Sequence, residues 1–446
     1  MSRLAPPRPA RSAAGPRRVL LAGSAGNFTE WYEFGVYGAF ATVIADRFFT
    51  PAQAAGQGGA GPLVAAYASF AVSFFFRPAG AVLFGRIGDR AGRRAALVLV
   101  IALMTLATTL IGLLPDRDAI GVAAPWLLTL LRVLQGLCLG GEFGGAVALM
   151  TESAPPGRRG RHGAWQSFTV ALGLLAGAAV AALLATLLTP AALHAWGWRI
   201  PFLLALPLGL AAYRLRANLP DDPPRPRPAP PPGPPLTPPP ADGGRGRKAS
   251  GTARAVGLGV ARLMGWSAAG YTFLVVLPSY LQATLGASFR QALTATALAN
   301  LGFAAAILPA GILSDRVGRR PVMLAGALGV TLLALPLLHL LQDPAAAAPA
   351  KAAAVLAAGA TVGLLAGPGP AMLAEMFPAR VRCTGLGLAY ALTGAVFSGC
   401  AGLVVTALTA ATGDHDVPAY YAAGTCALSA LALAGLRGDD HRRPLR

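Results

Sequence analysis

Six ionisable side chains stand inside long apolar stretches of this sequence, where charge is otherwise rare. They are Glu30, Glu33, Arg77, Arg132, Glu142 and Arg262. A charged group in the hydrocarbon of a membrane is costly, so each one indicates a pathway or an ion pair by default. A carboxylate can take up and release a proton, and a guanidinium can hold a carboxylate through two parallel hydrogen bonds. This set of residue types therefore suits proton-coupled transport of an anion.

Five of the six fall in the first half of the chain, at similar depths. With a helical rise of about 1.5 Å per residue, Glu30 and Glu33 lie close to mid-membrane, and their spacing of three places them on one helical face. Glu142 and Arg77 reach the same layer, and Arg132 lies slightly further out. We predict that these five residues form the proton-coupling and substrate site.

Arg132 is the favoured ligand for a carboxylate of the substrate, because a guanidinium can hold it through two hydrogen bonds. Alternatives exist for the arginines. Arg132 could be locked to a glutamate purely to hold helices together, in which case it would not bind substrate. Arg262 stands eight residues after Arg254, so we expect its side chain to extend to the membrane surface.

Twelve apolar stretches are long enough to cross a bilayer as helices, which takes about 17–25 residues each. They are roughly Val19–Ile44, Pro62–Phe84, Ala95–Leu114, Gly121–Met150, Ala164–Leu188, Ile200–Leu215, Ala255–Leu285, Gln291–Leu313, Pro321–Leu341, Ala352–Met376, Gly385–Ala411 and Val417–Leu436. Only 12% of the 446 residues are charged, half the usual share and too little to cover large soluble domains. The sequence predicts an all-α integral membrane protein with twelve spans, numbered 1 to 12 below.

Polar and aromatic residues within these spans could line a cavity beside the charged layer. The candidates are Asn27, Trp31, Tyr37, Gln135, Gln166, Tyr271, Tyr280 and Asn300. Tyrosine and tryptophan are also ordinary anchors at the membrane surface, and this is the alternative role for the tyrosine and tryptophan candidates. Gly136, Gly140 and Gly144 recur at steps of four on span 4 and predict close approach of a neighbouring backbone.

The distribution of basic residues predicts the orientation. One set of connections, including both ends of the chain, carries 29 Lys and Arg, whereas the alternate set carries five. Because cytoplasmic loops hold the excess of basic residues, we expect both termini in the cytoplasm of a multi-pass protein of the bacterial inner membrane. The basic residues form short clusters between apolar runs and no stripe on one face, so no nucleic-acid partner is expected.

A proline-rich segment divides the chain into two halves. We predict a basic N-terminus over residues 1–18, a six-helix bundle over 19–216, a cytoplasmic linker over 217–252, a second six-helix bundle over 253–436 and a short tail over 437–446. Proline at the density seen between Pro220 and Pro240 favours an extended spacer. A binding motif for a proline-recognising module is the less favoured alternative.

The two halves repeat each other in sequence. A GxxxDRxGRR pattern begins at Gly85 between spans 2 and 3 and returns as Gly311–Arg320 between spans 8 and 9. A second echo follows spans 4 and 10, where Glu152, Pro155 and Arg159 match Glu375, Pro378 and Arg382. The nearly constant offsets indicate duplication of a six-helix unit. Such halves place a substrate site between them and rock about it.

The repeated pattern also predicts a gate on the cytoplasmic side. Asp89 can accept hydrogen bonds from a helix N-terminus, and an arginine of the pattern can then bridge it to Glu152. Asp315 and Glu375 would repeat the device in the second half. The gate candidates are Gly85, Asp89, Arg90, Arg93, Arg94, Glu152, Asp315, Arg316, Arg319, Arg320 and Glu375. The alternative is that these arginines only obey the positive-inside rule.

Together these motifs resemble the major facilitator superfamily, whose signature loop is this pattern in both halves. Three further segments resemble its metabolite:proton symporters, which include porters of citrate, alpha-ketoglutarate, shikimate and proline-betaine. The segments are Gly26–Gly38, Arg132–Gly145 and Glu375–Gly385. One departure is Glu33, where the family usually has Asp. The chain also ends soon after Leu436, without the long coiled-coil tail of some osmoregulatory members.

The resemblance implies uptake of a small organic acid or zwitterionic osmolyte by proton symport and alternating access, with the proton gradient as energy source. We expect a monomer in a lipid bilayer with no cofactor and no metal. The alternatives are proton-driven efflux of a hydrophobic or sugar-like compound, or a transporter-like sensor that moves nothing. An enzyme is not expected, because the sequence assembles no nucleophile–base pair, metal-ligand cluster or cofactor loop.

Overall fold

The computed structural model describes residues 16–50, 59–91, 93–140, 142–152, 154–155, 157–217 and 243–436. Within these ranges only the backbone is described for residues 16–23, 85, 88–89, 91, 93–94, 142, 145, 149, 243–251 and 380. The predicted tail, most of the predicted N-terminus and residues 218–242 of the predicted linker therefore lie outside the described part.

The first half contains spans 1 to 6. Their helices are Pro16–Ala39 for span 1, Gly61–Phe75 and Arg77–Ala91 for span 2, Arg93–Leu113 for span 3, Ala123–Leu139 and Glu142–Glu152 for span 4, Arg159–Leu187 for span 5, and Arg199–Ala217 for span 6. Span 2 is interrupted at Phe76 because Pro78 lacks a backbone N–H and its ring crowds the preceding turn. This interruption places Arg77 at a helix start within the membrane layer.

The second half contains spans 7 to 12. Their helices are Gly243–Tyr271 and Leu277–Ala283 for span 7, Phe289–Val317 for span 8, Arg319–Gln342 for span 9, Ala348–Ala366 and Gly369–Met376 for span 10, Arg382–Thr393 and Ala401–Thr412 for span 11, and Val417–Ala434 for span 12. Span 7 begins ten residues before the predicted boundary, in a stretch where no proline follows Pro240 until Pro278.

Wide π-helical turns interrupt spans 7 and 11 of the second half. They cover Thr272–Val276 and Gly394–Gly399. Such turns are rare and occur mostly at functional sites. Both lie where the second half faces the first.

Ten of the described helices are long and apolar enough to cross a membrane. Spans 1 and 4 complete the predicted twelve. Span 1 carries Glu30 and Glu33, and span 4 is described as a 17-residue apolar helix followed by a second helix after residue 141. Large apolar side chains such as Trp126 and Leu332 remain exposed on the outside of the bundle, as helices in lipid require.

The GxxxDRxGRR loop of the second half is a single sharp turn. Span 8 ends at Val317 and span 9 starts at Arg319, so Gly318 alone reverses the chain. Its φ of 101° is a conformation that side chains with a Cβ rarely adopt, which explains the glycine in the motif. We call the end of the bundle that carries both such loops the motif end.

The two halves meet along spans 1, 2, 4 and 5 on one side and spans 7, 8, 10 and 11 on the other. Glycines bring the backbones together. A Cβ on Gly160 of span 5 would lie 2.5 Å from the carbonyl oxygen of Gly311 on span 8. Within the first half, Gly136 and Gly140 of span 4 face the backbone of Ser73 and Arg77 on span 2. This close packing fixes how far the charged residues of one span lie from those of the next.

Candidate functional site

A cavity lies between the two halves, on the motif-end side of the charged layer. It is lined by Ser24, Asn27, Glu30, Trp31, Arg77, Leu139, Gly140, Phe143, Ala146, Met150, Gln166, Thr169, Gly387, Tyr390 and Ala391. Five of the residues singled out from the sequence are therefore brought together here: Asn27, Glu30, Trp31, Arg77 and Gln166. Asn27 donates hydrogen bonds to the Gln166 carbonyl at 3.1 Å and to Thr169 at 2.5 Å, which ties span 1 to span 5.

Arg77 is the basic residue of this cavity. Its side chain is 4% exposed, and its guanidinium carbon lies 3.9 Å from the centre of the Phe74 ring. The Nε and Nη2 atoms have no hydrogen-bond partner among the described residues. A buried N–H without a partner is costly, so these donors are available to an acceptor that enters the cavity.

Aromatic rings surround the guanidinium from both halves. Phe34 of span 1 packs edge-on against Phe70 and Phe74 of span 2, with 5.6 Å between ring centres in both pairs. Tyr271 of span 7 packs against Phe74 at 5.5 Å and Trp31 at 6.3 Å. The sequence analysis included Tyr271 and Trp31 in the cavity but missed the phenylalanines, because phenylalanine in an apolar span carries no distinguishing signal.

At the motif end of the cavity, Phe143 of span 4 stacks on Tyr390 of span 11 with 3.5 Å between ring centres. Neither residue was singled out from the sequence. The stack is a contact between the two halves, and both rings line the cavity.

Arg132, the residue that the sequence favoured as carboxylate ligand, does not line this cavity. Its guanidinium carbon is 4.1 Å from the centre of the Tyr37 ring and 5.2 Å from that of Phe34. Arg132 and Glu33 are each 1% exposed. Gln135 stands between them: it accepts from Arg132 Nη1 at 2.6 Å, and its Nε2 lies 3.5 Å from Glu33 Oε2.

The remaining candidates are distributed as follows. Tyr37 donates to the Ala66 carbonyl at 3.0 Å, and Asn300 donates to the Leu274 and Thr296 carbonyls. Tyr280 lies at the end of the bundle opposite the motif end, where it donates to the His415 carbonyl at 2.9 Å. The side chain of Glu142 lies outside the described part. Arg262 does not extend to the surface: it is 8% exposed and its Nε donates to the Ala432 carbonyl at 3.2 Å, because span 12 covers it.

An ion-pair cluster holds the motif end. Arg319 contacts Asp315 at 2.8 Å and Glu375 at 3.0 Å. Asp315 also accepts from the backbone N–H groups of Gly160 and Arg161, at 2.7 and 2.9 Å, and so caps the N-terminus of span 5 from the other half of the protein.

The Glu-Pro-Arg echoes pair with each other across the interface. Glu152 contacts Arg382 at 2.5 Å, and Arg159 contacts Glu375 at 3.6 Å. The structure adds Arg382 of the other half as a partner of Glu152 that the sequence did not suggest. The bridge predicted within the first half, through Arg93 or Arg94, stays a prediction. Only the backbone is described for Gly85, Asp89, Arg93 and Arg94, and Arg90, Arg316 and Arg320 are exposed.

The halves also touch at the opposite end. The hydroxyl groups of Tyr67 on span 2 and Ser279 on span 7 are 2.6 Å apart. Thr42 donates to Gln282 of span 7 at 3.1 Å. Contacts on both sides of the cavity thus connect the two halves.

Comparison with known proteins decides the family. The model of the family described as "Sugar (and other) transporter" matches residues 19–224, and that of the "Major Facilitator Superfamily" matches residues 256–446. The ectoine/proline transporter ProP of Corynebacterium glutamicum is 33% identical over 429 residues, which cover 94% of this chain and 83% of that protein. The chain belongs to the metabolite:proton symporter family of the major facilitator superfamily. It is a membrane transporter and not an enzyme.

Other relatives of this transporter are named for different solutes. The citrate-proton symporter of Salmonella typhi is 32% identical, covering 96% of both chains. The alpha-ketoglutarate permease of Escherichia coli K12 is 33% identical over 88% of both chains. Among solved structures, a D-xylose-proton symporter superimposes with a TM-score of 0.74 at 18% identity, covering 97% of this chain and all of that one. This last likeness shows the shared fold of two six-helix bundles.

A polar network connects spans 7, 9 and 12 at the end of the transporter opposite the motif end. Asp416, just before span 12, contacts His339 at 3.0 Å and accepts from Gln342 at 2.9 Å. Gln342 also donates to the Tyr280 hydroxyl at 3.0 Å, which connects the network to span 7. The hydrogen bond with His339 lowers the pKa of Asp416 below its ordinary value of 3.8, and Gln342 adds to this effect.

Proposed function

We propose that this transporter imports a small organic acid or a zwitterionic osmolyte together with protons, by alternating access. The observation that carries the proposal is Arg77, a buried guanidinium with two unpartnered donor nitrogens in a cavity between the halves. We further propose that it works as a monomer in the bacterial cytoplasmic membrane with both termini in the cytoplasm, so that the motif end faces the cytoplasm.

The chemistry of the cavity suits a solute that carries a carboxylate. The planar donors of Arg77 match the two oxygens of a carboxylate. Glu30 supplies an acidic group nearby, and the faces of Trp31 and Tyr390 can attract a quaternary or secondary ammonium group. Relatives named for ectoine and proline and relatives named for citrate both fit a site built around a carboxylate.

We assign the proton to the carboxylates of the charged layer, with Glu33 as the principal candidate. Glu33 is 1% exposed, and its Oε1 has no hydrogen-bond partner among the described residues. A buried carboxylate in this setting can be neutralised by a proton at small structural cost. The proton can bind to the unpartnered oxygen, Oε1.

The contacts at the two ends support the proposal of alternating access. Opening at the motif end requires loss of the Glu152–Arg382 and Arg159–Glu375 pairs, whereas opening at the opposite end requires loss of the Tyr67–Ser279 and Thr42–Gln282 contacts. Each set holds the halves together in one state and breaks in the other.

The test uses proteoliposomes that contain a pH-sensitive dye. Dicarboxylates, tricarboxylates, cyclic hydroxy acids, betaine and proline are added one at a time. We expect one class to acidify the lumen, and we expect Glu33→Gln to abolish accumulation driven by a pH gradient while exchange of labelled for unlabelled solute continues. No acidification across the panel, with folded protein, would contradict symport and favour efflux or sensing instead.

A further inference from the structure

We propose that Gln135 is a positioning residue of the proton site: it holds Arg132 and Glu33 in one hydrogen-bonded chain and keeps them from forming a direct ion pair. This inference rests on the proton-coupled function proposed above. It assigns a task to a residue that the sequence suggested only as part of a cavity wall.

The geometry supports this task. Gln135 is 1% exposed and its amide is used on both sides. Its oxygen accepts from Arg132 Nη1 at 2.6 Å, while its nitrogen donates to the Thr108 hydroxyl at 2.6 Å and lies 3.5 Å from Glu33 Oε2. Among the described residues, no ion pair with an N···O distance of 4 Å or less joins Arg132 to Glu33. An amide is suited to this place because one end accepts from a cation and the other faces an anion.

The neutral spacer matters for proton binding. A guanidinium in direct contact with a buried carboxylate strongly favours the ionised carboxylate, and this attraction weakens with separation. With Gln135 between the charges, the attraction of Arg132 for the Glu33 carboxylate is weaker than in a direct ion pair. Without it, Arg132 would close on Glu33 and oppose protonation.

Few other charged or titratable groups influence this pair. Among the described residues, Arg132 on span 4 and the neighbouring Tyr32 on span 1 interact with Glu33. Tyr37, Tyr271 and Arg77 interact with Arg132. The guanidinium carbons of Arg77 and Arg132 lie 5.4 and 5.2 Å from the centre of the Phe34 ring, so the substrate and the proton would occupy adjacent sites.

Infrared difference spectroscopy can follow the proton without any substrate. The C=O stretching band of a protonated carboxyl group is recorded as a function of pH, and the part that disappears in Glu33→Gln is assigned to Glu33. In Gln135→Met, which keeps the length and removes the amide, we expect the midpoint of this band to move to lower pH by one unit or more. Thr129→Val is the control on the same span, because the Thr129 hydroxyl donates a local hydrogen bond to the Pro125 carbonyl at 2.8 Å and lies outside the cavity.

The proposal would be overturned if the midpoint in Gln135→Met equalled that of the unmodified protein and the control. A shift of the Gln135→Met midpoint to higher pH would overturn it as well. If Gln135→Met does not fold, Gln135→Leu makes the same test, because it also removes the amide and all its hydrogen bonds. Since this titration needs no solute, its failure leaves proton-coupled transport untouched. Conversely, absence of substrate-driven acidification in proteoliposomes would contradict the proposed function while the titration still reported on Gln135.

Discussion

Glu152 and Arg382 form an ion pair between the two halves of the protein, at 2.5 Å. Arg159 and Glu375, which stand at the matching positions of the sequence repeat, form the reciprocal pair at 3.6 Å. The duplicated motif thus makes the same contact twice around a pseudo-two-fold axis. Because both pairs cross the interface, they can exist only while the motif end is closed.

The strength of this closure should depend more on Asp315 than on Glu152. Asp315 accepts from two backbone N–H groups and from Arg319 in a nearly buried position, whereas the Glu152 side chain is 50% exposed. Losing the contacts of Asp315 costs roughly 1–3 kcal/mol of closure free energy, and losing the ion pair of Glu152 costs about 1 kcal/mol or less. We expect Asp315→Asn to open the motif end at least five times more often than Glu152→Gln does.

Spin labels can measure this opening. They are placed at the exposed positions 158 and 320 after replacement of the four cysteines, and the distance distribution is recorded for each variant. Asp343→Asn is the control, because Asp343 only receives a local hydrogen bond from Ala345 at the opposite end. Equal distance distributions for Asp315→Asn and the unmodified protein would contradict a role of Asp315 in closure.

Arg77 should dominate solute affinity. Arg77→Lys keeps the charge but loses the planar pair of donors that Nε and Nη2 present. Leaving the carboxylate of the solute with poorer partners costs about 2 kcal/mol or more, so we expect affinity to fall at least thirtyfold. Calorimetric titration with the active solute measures this affinity. Arg290→Lys is the control, because Arg290 is exposed. Affinity within threefold of the unmodified protein would exclude Arg77 as the carboxylate ligand.

Gly402 should control closure at the opposite end. A Cβ at this position of span 11 would collide with the ring of Tyr67 on span 2. We therefore expect Gly402→Val to hold this end open, so that solute still binds but transport falls at least tenfold. Gly424→Val is the matched control, because a Cβ there meets nothing within 4 Å. Normal transport by Gly402→Val would show that this end closes without the Tyr67 contact.

Asp416 should contribute to stability above acidic pH. Its pKa is lowered in the folded protein by His339 and Gln342, so the folded state favours the ionised carboxylate. This stabilisation is fully present above the unfolded value near 3.8 and is lost as pH falls through the lower folded value. Because His339 is more than half exposed, solvent screening keeps the contribution below about 1 kcal/mol.

Thermal unfolding in detergent checks this dependence. We expect the melting temperature of Asp416→Asn to fall less than that of the unmodified protein between pH 5 and pH 3, since the variant has no carboxylate to protonate at this position. Exposed Asp118→Asn is the control. Identical acid dependence in all three proteins would show that the Asp416 network does not stabilise the folded state.

Much of the architecture is local and can be predicted from the sequence. The lengths of the apolar stretches predict the twelve spans, and the repeated motifs predict two related halves. Gly318 and Pro78 also act locally, since one permits a left-handed turn and the other interrupts a helix. The residue types Glu and Arg within apolar stretches likewise identify the charged layer without any knowledge of packing.

Only the tertiary structure decided which of these residues face each other. Helical periodicity gives the face of a residue on its own span but not the rotation of one span against the next. That rotation is set by close contacts such as Gly136 against Ser73 and Gly140 against Arg77. These contacts direct Arg77 into the cavity, place Gln135 between Arg132 and Glu33, and pair each repeated motif with the opposite half.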